Sequence, residues 1–341
     1  MRVTTTHTVA ALVSLYALVL FGCKNKPVES AIHTPVHTVR MIAFGDINLG
    51  RTVGKKILHE GSGFPFKYFP VLSDSFDIVF ANLESQLSFQ NGETELPKHN
   101  LIFTGPPQGA KSLADAGFTI VSTANNHAFD YGMQALEETI DNLSSNNIFC
   151  VGTTKNSKYL YEPLCYEVNG IRFAFFAVTD IMNFRTRWHG HIARADTSKL
   201  FPKIREAKKS VDVVVLSYHG GIEYDEQPSS KIKNFAKQSV REGVDIFLGH
   251  HPHVPYGIEK YQHGYIVHSL GNLIFYQPKK QRTEISYGTQ FVFQKDSSHT
   301  SMTMKKITPV RAGYQPRLLQ DSTAIRTLLQ RVQRLSNITI N

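Results

Sequence analysis

Short runs of apolar residues, rich in Val, Ile and Phe, recur along this chain, and segments with helical periodicity separate them. The strand-like runs occupy residues 39–44, 77–81, 118–123, 211–217, 244–248 and 265–270. Helical patterns occupy residues 107–116, 133–146, 199–209, 229–242 and 322–335, and Asn169-Gly170 marks a hairpin. This alternation of strands and helices predicts an α/β layered sheet fold.

The amino terminus predicts export. Residues 9–21 form an apolar run that is too short to span a bilayer but is typical of a signal-peptide core. The motif Leu-Phe-Gly-Cys that ends at Cys23 is similar to the processing box of bacterial lipoproteins, in which the cysteine is lipidated. An ordinary signal peptide with an incidental cysteine is the alternative. We expect a signal peptide over residues 1–22, a tether over residues 23–38 and an exported, membrane-anchored lipoprotein of the cell envelope.

No repeat, low-complexity block or domain boundary divides the rest of the chain. We expect one α/β domain over residues 39–310, followed by a helical extension over residues 311–341. Three cysteines cannot form a disulfide framework. A bridge between Cys150 and Cys165 is permitted after export, and a buried free thiol at each position is the alternative.

The net charge of +9, from 37 Lys and Arg against 28 Asp and Glu, favours an anionic partner or surface. The basic clusters at residues 203–209 and 279–282 lack the interleaved aromatic side chains on which nucleotide bases stack. We therefore expect an anionic substrate and no nucleic-acid partner.

Polar side chains that can bind metal follow nearly every predicted strand. They lie in the segments 45–48, 82–84, 125–127, 249–253 and 271–272 and at His219. Each alone has an ordinary structural explanation: Asp46 in a turn, Asn126-His127 at a helix entry, His219 in a flexible loop. Together they predict one metal site, because the carboxyl ends of the strands in an open α/β sheet face a single crevice. In the segment His-Pro-His, we expect Pro252 to hold the backbone extended between two imidazoles.

These motifs carry a family resemblance. The ordered set is Gly-Asp-x-Asn-Leu-Gly-Arg (45–51), Asn-Leu-Glu-Ser (82–85), Ala-Asn-Asn-His-Ala-x-Asp-Tyr-Gly (124–132), His-Gly-Gly-x-Glu-Tyr (219–224), Gly-His-His-Pro-His-Val (249–254) and Ser-Leu-Gly-Asn (269–272). It resembles the bacterial capsule-synthesis CapA family, which is associated with poly-γ-glutamate production. The resemblance implies a four-layer α/β/β/α sandwich of the calcineurin-like metallophosphoesterase type.

The resemblance also implies a centre of two divalent ions, of Mn, Mg, Zn or Fe. The implied ligands are Asp46, Asn48, Glu84, Asn126, His219, His251 and His253, with Glu84 bridging the ions. Phosphoesterases commonly have histidine at the position of Asn48, and an amide there favours a harder ion. His250 is left as a neighbour of these ligands.

Five further residues receive roles at this centre. His127 is implied as the acid that faces the substrate. Asp130 would orient His127, although an acid near a helix start also has a purely structural explanation. Arg51 is a candidate clamp for a carboxylate or phosphate, or a solvated arginine at a helix start. Glu223 and Tyr224 are candidates for the substrate-binding mouth.

Three classes of function remain open at this stage. The first is a membrane-anchored protein of poly-γ-glutamate or related anionic capsule polymer synthesis, with other capsule-synthesis membrane proteins as partners. The second is a cell-envelope metallophosphoesterase for small organic phosphates. The third is a polymer-binding protein without catalysis. The motifs do not specify whether the centre is catalytic, so whether the protein is an enzyme also stays open.

Overall fold

The computed structural model describes residues 37–183, 188–277, 280–297 and 299–340. These residues belong to one compact unit. The predicted signal peptide, the predicted lipidation at Cys23 and the tether up to residue 36 lie outside the described residues. Within the described ranges, no helix is both long enough and apolar enough to cross a membrane.

The strands and helices alternate through most of the chain. The strands are β1 (His37–Ile47), β2 (Ile78–Leu83), β3 (Gln86–Leu87), β4 (Glu95–Leu96), β5 (His99–Gly105), β6 (Ile120–Ser122), β7 (Phe149–Val151), β8 (Leu164–Val168), β9 (Ile171–Thr179), β10 (Val213–His219), β11 (Ile246–His250), β12 (Ile258–Tyr261), β13 (Gly264–Val267), β14 (Asn272–Ile274), β15 (Ile285–Lys295), β16 (Thr300–Arg311) and β17 (Arg317–Leu318). The helices are α1 (Arg51–Glu60), α2 (Gln108–Asp115), α3 (Gly132–Ser145), α4 (Thr197–Lys208), α5 (Ser230–Arg241) and α6 (Ser322–Arg334).

Two large sheets organise the fold. The first has the order β17-β16-β15-β1-β2-β6-β7, with β14 also paired to β1, and the second has the order β12-β13-β11-β10-β9-β8. In the first sheet β1, β2, β6 and β7 are parallel. In the second sheet β9, β10, β11 and β13 are parallel. The strands β3, β5 and β4 form a small third sheet.

The two large sheets pack face to face. The ring of Phe80 in the first sheet stacks on the ring of Phe175 in the second, with centroids 6.0 Å apart. Phe173 and Phe293 make an edge-to-face pair across the same layer at 5.0 Å. The outer face of the first sheet packs on α1 and α2, and the outer face of the second packs on α4 and α5. The four-layer α/β/β/α sandwich is therefore confirmed.

Most predicted elements are present. Helices α2 to α6 match the five predicted helical segments within a few residues, and β8 and β9 form the hairpin at Asn169-Gly170. Helix α1 is not among the predicted helical segments, and only the alternative interpretation of Arg51 placed a helix start there. Gly50 at its start offers no capping side chain, and its first residue, Arg51, has a left-handed φ of 52°. Cys150 and Cys165 are both free thiols, and Cys165 is exposed rather than buried.

Candidate metal centre

The parallel strands of both sheets end at one rim, and the predicted ligands lie there. Asp46 is the penultimate residue of β1, and Glu84 directly follows β2. His219 ends β10 in the second sheet, and His251 follows β11. Because the sheets pack face to face, these four residues approach one another from opposite sides of the sandwich.

Two glycines allow the backbone to pass between the sheets at this rim. A Cβ atom on Gly45 would lie 1.8 Å from the carbonyl oxygen of Gly271, and one on Gly249 would lie 2.0 Å from that of His268. Asp46 N donates a hydrogen bond to Gly271 O at 2.9 Å. Glycine is therefore required immediately before both ligand segments, since any side chain would push the rim apart.

Asp46 is fully buried and is held by donors from several elements. Its carboxylate accepts hydrogen bonds from Asn82 Nδ2 at 2.9 Å and from His251 N at 3.2 Å. His253 Nδ1 lies 3.2 Å from Oδ2, and His250 Nδ1 lies 3.4 Å from Oδ1. Burial opposes ionisation, but the two histidines outweigh it and hold the pKa of Asp46 well below its usual range.

Glu84 is also fully buried, and its Oε1 has no hydrogen-bond partner among the described residues. Three imidazole Nε2 atoms surround this oxygen, those of His253 at 3.8 Å, His219 at 3.9 Å and His127 at 4.0 Å. Burial, and next the charge of Asp46, raise the pKa of Glu84 well above its usual range. These separations are too long for hydrogen bonds, but ligands bound about 2.1 Å from one ion lie roughly 3–4 Å apart.

Three groups of ligand atoms in this region could each hold a metal ion, with all atoms of a group within 4.8 Å of one another. The groups are Glu84, His219 and His251; Asp46, Glu84 and His253; and Glu223, His251 and His253. Glu84 belongs to the first two groups. Carboxylates and imidazoles together suit a divalent metal, so the residues present fit such an ion.

Amide side chains complete the rim. Asn126 Oδ1 lies 2.8 Å from His219 Nε2, so this predicted ligand does reach the others. Asn48 is placed differently: it is buried, its Oδ1 accepts a hydrogen bond from Gly50 N at 2.7 Å, and it lines a cavity beside Arg51. Among the described residues, no hydrogen bond joins Asn48 to another predicted ligand.

His127 and Asp130 form a buried pair. His127 Nδ1 lies 2.7 Å from Asp130 Oδ2, which also accepts a hydrogen bond from Phe103 N at 3.0 Å. The ring of Phe103 stacks on the imidazole of His127, with centroids 4.2 Å apart. Together these contacts fix the imidazole and leave its Nε2 directed towards Glu84.

The predicted substrate residues border the same rim. Arg51 Nε donates to Asn100 O at 2.6 Å, and its guanidinium lies 4.8 Å from the centroid of the Phe103 ring. Tyr224 OH accepts a hydrogen bond from Gln277 Nε2 at 2.9 Å. Glu223 is exposed, and its carboxylate falls within the third candidate ligand group. Glu223, predicted as a substrate-binding residue, is therefore also a candidate metal ligand.

The backbone of the histidine segment is not extended as predicted. His251 and His253 have φ values of 94° and 60°, in the left-handed region that side chains other than glycine rarely adopt. Proline at position 252 fixes only its own φ, and the hydrogen bond from His251 N to Asp46 turns the chain around it. Strain of this kind, about 1–3 kcal/mol per residue, clusters at functional sites.

Sequence reasoning assigned no individual role to three residues that build the centre, although two of them lie in the predicted strand-end segments. Asn82 Nδ2 contacts Asp46 and His219, and Asn272 Oδ1 lies 2.9 Å from His253 Nδ1. Both have a sequence signal, since they are amides at strand ends. Phe103 has none, because it lies on β5 of the small third sheet and reaches the centre only through the folded arrangement.

A four-layer α/β/β/α sandwich that gathers carboxylates and imidazoles at its strand ends defines the calcineurin-like metallophosphoesterase class of fold. Within that class, a family model of the bacterial capsule synthesis protein PGA_cap matches residues 40–277. The chain belongs to this family.

Two relatives cover most of the chain. The PGA biosynthesis protein CapA of Bacillus subtilis (strain 168) is 32% identical over 292 residues, 83% of this chain and 76% of the relative. The capsule biosynthesis protein CapA of Bacillus anthracis is 29% identical over 281 residues, 79% of this chain and 68% of the relative. Among solved structures, a hypothetical protein from Thermus thermophilus aligns with a TM-score of 0.46 and 14% identity, over 79% of this chain and 99% of that one.

Proposed function

We propose that this protein acts in the biosynthesis of poly-γ-glutamate or a related anionic capsule polymer, through a metal-dependent hydrolase-type centre. Membership of the capsule synthesis family supports the pathway. The observation that carries the chemistry is Glu84: its Oε1 has no hydrogen-bond partner among the described residues, and the residue belongs to two overlapping groups of candidate ligands. A buried carboxylate oxygen without a donor needs a cation, and two overlapping groups accommodate two.

The ligands divide between two positions. Asp46, Glu84 and His253 would hold one divalent ion, while Glu84, His219 and His251, with Asn126 beside them, would hold the second. Mn, Mg, Zn and Fe are the candidate metals. Such ions supply Lewis-acid polarisation of a carbonyl or phosphoryl oxygen.

In this proposal His127 supplies a proton from Nε2, which requires the doubly protonated ring because the other proton, on Nδ1, is bound to Asp130. Asp130 accepts the hydrogen bond from Nδ1–H and thereby orients the ring, so that Nε2 faces the leaving group of the substrate. Stacking of Phe103 on the imidazole limits its rotation. Tyr224, held by Gln277, lies at the mouth beside His253 with ring centroids 6.1 Å apart.

Anchoring would place this centre at the outer surface of the membrane, where polymer emerges. Lipidation at Cys23 after removal of residues 1–22 would tether the domain there, next to other capsule-synthesis membrane proteins. The net charge of +9 favours an anionic polymer in the same place. Release of the Cys23→Ser variant from the membrane fraction, with the wild type retained, tests the anchor.

Polymer turnover tests the reaction. The full chain loaded with Mn²⁺ is incubated with γ-linked polyglutamate, and polymer length is followed by size-exclusion chromatography with light scattering. We expect shortening that His251→Ala abolishes and that the exposed control His263→Ala retains. Turnover of nitrophenyl phosphate with polymer left intact would instead support an envelope phosphoesterase, and binding of polymer without turnover would support a non-catalytic role.

A further inference from the structure

A second polar cavity, of about 260 Å³, opens beside the metal centre at the start of α1. Its lining includes the polar residues Asn48, Arg51 and Thr52 and the aromatic residues Phe275, Tyr276 and Tyr314. Phe275 also packs against His253, with ring centroids 4.5 Å apart, so a single ring separates the cavity from a candidate ligand.

Arg51 brings a positive charge to this cavity with most of its donors free. Its Nε is used by Asn100 O, but neither terminal nitrogen has a hydrogen bond or ion pair with any described residue. A guanidinium has five N–H donors, so four remain for a ligand. Burial lowers the pKa of Arg51, although the charges of Glu95, Asp130 and Glu84 act in the opposite direction.

Asn48 provides a second, independent indication that the cavity binds a ligand. It is only 5% exposed, and its Oδ1 is fixed as the acceptor of Gly50 N–H, so its Nδ2 is the outward atom. That amide group has no hydrogen-bond partner in the described part of the chain, although it lines the cavity. The Nδ2 group of this largely buried side chain is therefore free to donate to a ligand in the cavity.

The remaining charges also favour an anion. Helix α1 begins without a capping side chain or an acidic residue in its first turn. Arg51 N donates to Thr94 O, and the N–H groups of Thr52 and Val53 have no hydrogen bond among the described residues. Glu95 is the acidic side chain at the cavity, and Lys55 neutralises it through a 2.6 Å ion pair. Glu95 is thus paired with Lys55 and makes no ion pair with Arg51 among the described residues.

We infer that this cavity is a second anion site, which binds a carboxylate or phosphate of the substrate next to the group held at the metal centre. The inference rests on the proposed function for the identity of its substrate, since a polymer with one carboxylate per repeat offers neighbouring anions to both sites. Arg51 grips the anion bidentately, and Asn48 Nδ2 donates a further hydrogen bond. Asn48 thereby serves the substrate rather than a metal ion.

Phosphate binding to the metal-free full chain tests the site without the metal centre. Inorganic phosphate is titrated by calorimetry into protein treated with EDTA. We expect Arg51→Met to weaken binding at least about tenfold, a loss typical of removing one charged partner. The matched control is Arg317→Met, because Arg317 also lies over an aromatic ring, that of Tyr68 at 4.2 Å, in a different cavity.

A second variant keeps the test decisive if Arg51→Met fails to fold. Asn48→Asp retains the acceptor for Gly50 N–H but places a negative charge in the cavity, and it should also weaken phosphate binding at least about tenfold. Its metal affinity should be unchanged, whereas a metal-ligating Asn48 would bind metal more tightly as aspartate. Wild-type protein that binds no phosphate, or variants that bind it as the wild type does, would overturn the inference.

Binding of short glutamate oligomers distinguishes this inference from the proposed function. With metal-loaded protein, a γ-linked glutamate trimer should bind at least about tenfold tighter than glutamate, and Arg51→Met should remove that gain. Inorganic tripolyphosphate in parallel shows whether phosphates replace the carboxylates. If phosphate binding depends on Arg51 but no glutamate oligomer binds, the polymer is not the substrate, and the assignment of the cavity as an anion site still holds. If glutamate oligomers bind equally well to the wild type and to Arg51→Met, the cavity is not the second anion site, and the polymer still qualifies as the substrate.

Discussion

Glu84 Oε1 lies 3.8 Å from His253 Nε2 inside the protein, and no hydrogen-bond donor among the described residues reaches this oxygen. The pair is too far apart to satisfy itself, and burial disfavours the charge of the carboxylate. A metal ion between them would remove both defects, so we expect metal to stabilise the protein.

The variant Glu84→Gln should abolish the stabilisation of the protein by metal. Mn²⁺ at 100 times its dissociation constant should stabilise the wild type by about 2.7 kcal/mol against thermal unfolding. The variant should lose this gain, yet in EDTA its thermal midpoint should be at least as high as that of the wild type, because a buried unpaired carboxylate has been removed. Equal stabilisation of both proteins by Mn²⁺ would show that Glu84 is not a ligand.

Asp130→Asn should disorder the imidazole of His127 without unfolding the protein. In the wild type the Asp130 carboxylate favours the Nδ1–H tautomer, and an amide cannot enforce it. Nitrogen-15 spectra of the histidine ring should show a mixture of tautomers. Turnover of polyglutamate or nitrophenyl phosphate, whichever the wild type cleaves, should fall about 10²-fold. Asp141→Asn, at a largely exposed position on α3, is the control and should change neither. If the tautomer of His127 is unchanged in Asp130→Asn, Asp130 does not orient His127.

Gly45→Ala should damage the rim itself. The new Cβ atom would lie 1.8 Å from Gly271 O, and backbone cannot yield as a flexible side chain does. We expect a loss of about 3 kcal/mol or more in chemical denaturation, at the upper end for overpacking. Gly313→Ala, which has nothing within 4 Å of its new atom, should change stability by less than about 0.5 kcal/mol. Similar stability for the two variants would contradict the close approach.

Asp212 joins the two large sheets at the end opposite the centre, and its contribution should depend on pH. Lys295 Nζ donates to Asp212 Oδ2 at 2.8 Å, as does Arg172 N at 2.8 Å. Burial opposes ionisation, but these hydrogen bonds prevail and lower the pKa of Asp212 from its ordinary value of 3.8. A lowered carboxyl pKa stabilises the fold above the unfolded value, and the contribution disappears as pH falls through the lowered value.

The variant Asp212→Asn should therefore cost about 1 kcal/mol at neutral pH, and the difference from the wild type should shrink below about pH 4. Urea unfolding at several pH values measures it. Asp115→Asn, in an exposed helical pair with Lys111, should cost about 0.5 kcal/mol or less throughout. If the free energy of unfolding of Asp212→Asn differed from that of the wild type by the same amount at all pH values, the contribution of Asp212 would not come from its charge.

The layers of the fold could be predicted because hydrophobic periodicity determines them. Runs of Val, Ile and Phe mark β1, β2, β10 and β11, and glycine or amide residues mark their ends. Helix α1 could not be predicted from a capping signal, since tertiary contacts start it: Arg51 N donates to Thr94 O on the segment leading to β4. Local signals fail where a distant segment supplies the missing partner.

The candidate ligands could be named from strand ends, but their geometry could not. Sequence named Asn48 as a metal ligand and Glu223 as a substrate residue. In the structure Asn48 lines a cavity beside Arg51, and Glu223 lies beside His251 and His253. Side-chain direction decides both cases. It depends on φ values such as the 94° of His251, which sequence alone does not specify.

Metal analysis of the purified protein tests the central claim most directly. The full chain and the variants Glu84→Gln and His219→Ala are equilibrated with Mn²⁺ or Zn²⁺, dialysed and measured by plasma mass spectrometry, with folding checked by circular dichroism. The account predicts bound divalent metal in the wild type and an affinity at least about 10–100-fold weaker in each folded variant. Folded wild-type protein that retains no metal, or variants that retain as much as the wild type, would contradict it.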